Sequence, residues 1–181
     1  MKNRNLKHSD NWKTPKSLYD KLNSEFNFTF DPCPYTEGEI DFNGLLIDWG
    51  MSNFVNPPYS RKLKEAFIKK GVDESRKGKL VVMLLPVSTS TKIFHEVILP
   101  NKKEIRFLKG RIAFEGFNTK GIFTNKNKGM HDSMIVVFDG RNNHNRKFIG
   151  IEKDSGYFEI AEKRIKETPP HCNHDLEKIT G

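Results

Sequence analysis

The residues Leu80-Val81-Val82-Met83-Leu84-Leu85 are an unbroken apolar run that ends at Pro86. Such a run is too short to span a bilayer, which takes roughly 20 apolar residues. It is also too continuous for a strand with one wet face, whose apolar and polar residues would alternate. It predicts a strand covered on both faces, as at the centre of a parallel sheet flanked by helices. Neighbouring segments supply the helices. Residues 62–76 form a basic helical pattern with Leu63, Ala66, Phe67 and Val72 on its apolar side, and 91–99 turn Ile93, Val97 and Ile98 inward. Thr14 caps a further helix, with Pro15 at its first position and a stripe of Leu18, Leu22 and Phe26. Short strands are expected at 26–30, 44–48 and 53–55. A last pair, at 105–114 and 133–138, is joined by a Gly-, Asn- and Lys-rich loop over 115–132. Strand alternating with helix predicts an α/β sandwich around a mostly parallel sheet, its last pair making an antiparallel edge hairpin.

With 181 residues, 35% of them hydrophobic, the chain can bury one domain's core. The expected layout is a flexible basic arm over 1–10, one domain over 11–167 and a tail over 168–181, set off by Thr168-Pro169-Pro170. No signal peptide or membrane-length apolar run is seen, so a soluble cytoplasmic protein is expected. Cys33 and Cys172 lie far apart and read as reduced thiols. His171, Cys172 and His174 lack a fourth ligand, and no metal site is expected. A net charge of +8 suits a polyanionic partner.

Asn56-Pro57-Pro58-Tyr59 follows the strand expected at 53–55 and precedes Ser60, a good helix N-cap. That puts a polar side chain at the carboxyl end of a strand, where open α/β sheets bind ligands. Two prolines fix φ and remove two N–H groups, so the turn is rigid. Its parts can grip a flat amine. The Asn56 oxygen and a proline carbonyl accept two N–H bonds, while the Tyr59 face stacks on the ring.

The chain here resembles the amino-methyltransferases and, among them, the small bacteriophage DNA adenine-N6 methyltransferases. Trp12-Lys13-Thr14-Pro15, Asp31-Pro32-Cys33-Pro34, Gly44-Leu45-Leu46-Ile47-Asp48-Trp49 and Asn56 to Tyr59 stand in the order that family uses, and the likeness runs over residues 10 to 140. It implies a single Rossmann-like methyltransferase domain. It also implies that Asn56, Pro57, Pro58 and Tyr59 hold the target amine, and that Trp12, Thr14, Pro15, Asp31, Pro32, Cys33 and Asp48 lie on the S-adenosylmethionine side. Tyr35-Thr36-Glu37-Gly38 stands where other methyltransferases carry a Gly-rich turn. Too few residues separate Tyr35 from Gly44 for the usual helix, strand and helix. Residues 147–165 look like that missing segment in permuted form, and Glu152 is then the acid for the cofactor's ribose hydroxyls.

The resemblance implies methyl transfer from S-adenosylmethionine to adenine N6 in double-stranded DNA, with the base flipped from the stack. Lys120, Lys126 and Lys128 in the basic loop, together with Arg111, are candidates for phosphate contact. Cytosine N4, an RNA base or a protein glutamine remain alternative targets, as does a catalytically silent DNA-binding role.

Overall fold

The computed structural model describes residues 12–36, 42–117, 122–128 and 131–141. In chain order its elements are α1 (Lys16–Phe26), β1 (Ser52–Val55), α2 (Arg61–Arg76), β2 (Leu80–Pro86), a π-helical turn (Phe94–Ile98), α3 (Leu99–Asn101), β3 (Glu104–Phe107), β4 (Ala113–Phe117), β5 (Phe123–Lys128) and β6 (Ser133–Asp139).

The apolar run is β2, buried at every position. It pairs in parallel with β1, Ser52 opposite Leu80 through Val55 opposite Met83, and antiparallel with β6, Leu80 opposite Asp139 through Pro86 opposite Ser133. The edge strand β3 pairs antiparallel with β6, giving the order β1-β2-β6-β3. The chain is thus α/β with a mixed sheet in which β1, β2 and β3 point one way and β6 the other. The expected antiparallel pair exists, but its reversed strand lies inside the sheet rather than at the rim.

The absence of alternation in β2 has a direct cause. Val81, Met83 and Leu85 enter one core with Phe67, Ile68 and Val72 of α2, Trp49, Phe94, Ile98, Val136 and Phe138. Leu80, Val82 and Leu84 enter a second core with Leu22 of α1, Phe54, Ile112, Phe114, Ile135 and Val137. Each face has its own apolar cover, so both parities of the strand are apolar. Fully burying one such side chain contributes roughly 1.5–3 kcal/mol.

Several sequence expectations are corrected. Pro15 is the N-cap and α1 starts at Lys16; Thr14 does not cap it, and the Pro15 carbonyl accepts the N–H groups of Leu18 and Tyr19. The helix runs to Phe26 and is closed by Asn27 in the left-handed region at φ 50°, which prevents a strand from starting at Phe26. Only Phe30 pairs, in an isolated parallel bridge with Asn53. The 44–48 segment is a turn because the Asn43 side chain and carbonyl take the N–H groups of Leu45 and Leu46, and the Trp49 indole N–H donates to the Gly44 carbonyl at 2.6 Å. The loop expected at 115–132 contains strand instead. β4 and β5 form an antiparallel two-stranded ribbon outside the main sheet. Among the described residues no helix is long and apolar enough to cross a membrane. The arm over 1–10, the strand-helix at 147–165 with Glu152, and the tail with His171, Cys172 and His174 lie outside the described residues.

Candidate active site

The parallel bridge of Phe30 with Asn53 sets the geometry of the site. Phe30 donates its N–H to the Ser52 carbonyl at 3.2 Å, and Phe54 donates to the Phe30 carbonyl at 3.1 Å. Because the two segments run in the same direction, Asp31-Pro32-Cys33 leaves the bridge on the same side as the carboxyl end of β1, where Asn56-Pro57-Pro58-Tyr59 begins. Inside the first turn, the Asp31 carboxylate accepts the Cys33 N–H at 2.7 Å, and Cys33 is buried. Gly44 packs so closely on this turn that a Cβ there would stand 1.9 Å from the Pro32 carbonyl oxygen, which only glycine allows.

In the second turn the Asn56 side-chain nitrogen donates to the Trp12 carbonyl at 2.9 Å. That bond uses the donor end of the amide and turns the acceptor oxygen the other way. Lys13, beside Trp12, exchanges both backbone bonds with Glu115 of β4, at 2.7 and 3.1 Å. Phe114 meets the Tyr59 ring edge to face, with centroids 6.0 Å apart. Among the described residues, two buried hydroxyls here have no hydrogen-bond partner, those of Thr14 and Tyr59. Burial pushes the Tyr59 phenol well above its ordinary pKa, so it stays neutral. Phe114 and Glu115 escape a reading of the sequence, which takes 105–114 as one strand. The break is marked by Gly110, left-handed at φ 80°.

The predicted site residues divide accordingly. Trp12, Thr14, Pro15, Asp31, Pro32, Cys33, Asn56, Pro57, Pro58 and Tyr59 belong to segments that converge at one end of β1. Asp48 does not. It precedes β1 at the opposite end, exposed and paired with Lys77 at 2.6 Å, whose hydrogen bond holds the carboxyl below its ordinary range. Arg111 is exposed and loosely paired with Asp132 at 3.9 Å. Lys126 and Lys128 lie on β5, with Lys128 opposite Ala113 of β4. Lys120 and Glu152 fall outside the described residues.

A second polar cluster marks the amino end of the sheet. Glu74, fully buried on α2, takes Lys70 and Lys77 at 2.9 Å, Lys79 at 2.6 Å and the Trp49 N–H at 3.2 Å. Burial works against its charge, yet these donors prevail and hold its pKa down to about 2. The cluster braces the starts of β1 and β2 and has no part at the Asn56 end.

The chain is similar to known proteins. Residues 2–157 match the family model described as DNA N-6-adenine-methyltransferase (Dam). The DNA N-6-adenine-methyltransferase of Haemophilus phage HP1 (strain HP1c1) is 33% identical over 153 residues, covering 77% of this chain and 85% of that protein. The protein of the same name from Escherichia phage T1 is 28% identical over 145 residues, covering 66% of this chain and 60% of that one. The chain therefore belongs to the DNA N-6-adenine-methyltransferase (Dam) family.

Proposed function

We propose that this chain transfers a methyl group from S-adenosylmethionine to the exocyclic N6 amine of an adenine flipped out of double-stranded DNA. Family membership and the names of both relatives support adenine methylation of DNA. The observation that carries the residue-level reading is the Asn56 amide, tied by its nitrogen to the Trp12 carbonyl at the carboxyl end of β1. The donor S-adenosylmethionine supplies an electrophilic methyl on a positively charged sulfur. The residues present fit it. A carboxylate at Asp31, an unpartnered hydroxyl at Thr14 and two proline-stiffened turns lie at one end of β1, with polar groups for a zwitterionic ligand. In this reading the domain is Rossmann-like, and Glu152, on a permuted strand-helix, holds the ribose hydroxyls.

The N6 lone pair is delocalised into the purine ring, which makes the amine a poor nucleophile. Asn56 Oδ1 and the Pro57 carbonyl accept its two N–H bonds and favour a more tetrahedral nitrogen with a localised lone pair. Pro57 and Pro58 keep the acceptors fixed, so orientation rather than covalent catalysis lowers the barrier. Tyr59, neutral and wedged against Phe114, moves no proton; its ring offers the flipped base a stacking surface worth roughly 1–3 kcal/mol. Lys126 and Lys128 on β5, with Lys120 and Arg111, contact phosphates and orient the duplex. The test is nucleoside analysis of duplex DNA after incubation with the purified chain and the cofactor. N6-methyladenine is expected; N4-methylcytosine or no methylated base would overturn the reading.

A further inference from the structure

A carboxamide has two ends of similar shape, and the group that binds its nitrogen decides which way its oxygen faces. For Asn56 that group is the Trp12 carbonyl, a backbone atom of a segment that precedes α1. The neighbouring residue, Lys13, is tied to Glu115 of β4 by an antiparallel bridge in which both N–H groups donate, at 2.7 and 3.1 Å. With its N–H donating to Lys13, Glu115 has no donor to offer β5. The ribbon's register shows the same thing. Pairing shifts between Phe114, opposite Asn127, and Gly116, opposite Thr124, so Glu115 faces two residues of β5, Asn125 and Lys126. Bulges of this kind bend a ribbon and re-aim its groups, and they cluster beside active sites. One residue earlier, the Phe114 ring abuts Tyr59. The ribbon therefore touches the turn at Tyr59 and reaches Asn56 through Lys13 and Trp12.

We propose that β4 positions Asn56 through the backbones of Lys13 and Trp12, making Lys13 and Glu115 positioning residues for methyl transfer. The inference rests on the reading of Asn56 as the acceptor of the amine. The Lys13–Glu115 ion pair, at 3.6 Å with the lysine half exposed, contributes little; the backbone bridge is the working part. A residue that sets the direction of a reacting group changes turnover more than affinity, and a displacement of about 1 Å can cost about a hundredfold in rate.

The test compares Lys13→Pro with Lys13→Ala, and Glu115→Pro with Glu115→Ala. Proline removes one bridge N–H from either side, while alanine removes only the side chain. Each proline variant is expected to show kcat about 10- to 100-fold below its alanine counterpart. Its KM for duplex DNA and its calorimetric affinity for S-adenosylmethionine should stay within about threefold. The side-chain amide protons of Asn56, observed by nitrogen-15 NMR, should be protected from exchange in the unaltered chain and lose that protection in the proline variants. Unprotected Asn56 protons in the unaltered chain overturn the proposal whether or not the variants fold, and so does equal kcat within both pairs. If Asn56→Ala kept full turnover, the amine reading itself would fall. If Asn56→Ala is inactive and the proline variants match their alanine counterparts, only the positioning role falls.

Discussion

The two ends of β1 treat their buried polar groups differently. At the amino end Glu74 is fully buried with four donors around it, three lysines and a backbone N–H, and Asn53 donates to the Gly50 and Leu80 carbonyls, leaving only its own side-chain oxygen unpartnered among the described residues. At the carboxyl end Thr14 and Tyr59 bury hydroxyls that meet no partner. Buried polar groups are normally satisfied, and the exceptions gather where a protein does something other than hold itself together. The amino end is organised for stability. The carboxyl end leaves acceptors and hydroxyls uncommitted, which suits a site completed by its ligands.

This contrast is broken first at the amino end, where the largest stability effect is expected. Glu74→Leu leaves Lys79, itself mostly buried, without its carboxylate, and leaves the Trp49 N–H unpaired. Removing one partner of a buried ion cluster costs about 3–5 kcal/mol. Urea unfolding should show that loss, while methylation by the remaining folded protein is kept. The pH dependence has a definite sign. Glu74 has its folded pKa depressed from the ordinary 4.5 to about 2, so its contribution is fully present above about pH 4.5 and drains away as pH falls towards 2. Glu74→Gln should be less stable at neutral pH and should lack that acid-side decline.

At the other end the prediction reverses, with activity rather than stability at risk. Asn56→Ala removes an acceptor aimed at the amine and should lower kcat by roughly a hundredfold to a thousandfold. Cofactor affinity should change little. The Trp12 carbonyl loses one hydrogen bond, so the midpoint of unfolding should fall by no more than about 1 kcal/mol of stability. Near-normal turnover would show that the carboxyl end is not the chemical site. A smaller effect is expected from Glu152→Gln. If that acid holds the ribose, loss of a charged hydrogen bond weakens S-adenosylmethionine binding by about 1–3 kcal/mol, measured by calorimetry, with kcat at saturation nearly kept.

Most of what was legible in the chain is local. The β2 run, the helix over Arg61–Arg76 and the Asn56 turn after a buried strand follow from periodicity and proline chemistry, and the structure keeps them. The errors came where one residue's backbone preference or a distant partner overrode the pattern. Asn27 adopts a left-handed φ and ends the Phe26 to Phe30 alternation; Asn43 folds 44–48 into a turn; Lys13 recruits Glu115 across a hundred positions of sequence, inside what reads as loop. Asp48 stands apart from the other motif residues in the fold. The resemblance of the Gly44 to Trp49 motif implied one site with Asn56, but a four-residue strand separates them, about 13 Å of extended chain. The Trp12 carbonyl could not be foreseen at all, because every residue carries the same backbone acceptor and only the fold selects one.

The sharpest form of the contrast is also its smallest effect. Thr14→Val swaps a buried hydroxyl with no partner for a methyl of nearly the same size. At an ordinary buried threonine this exchange destabilises, because a hydrogen bond of about 1 kcal/mol is lost. At Thr14 no bond is lost and the desolvation cost of the hydroxyl disappears, so stability of the ligand-free chain should hold or rise by up to about 1 kcal/mol. If the hydroxyl waits for a polar atom of the cofactor, the same variant should bind S-adenosylmethionine about fivefold more weakly, since one hydrogen bond in the complex is worth about 1 kcal/mol. Thermal unfolding with and without S-adenosylmethionine reads both quantities from one pair of samples. A variant destabilised without the cofactor would mean the hydroxyl is already satisfied in solution, and the two ends of β1 would then differ less than their hydrogen bonds suggest.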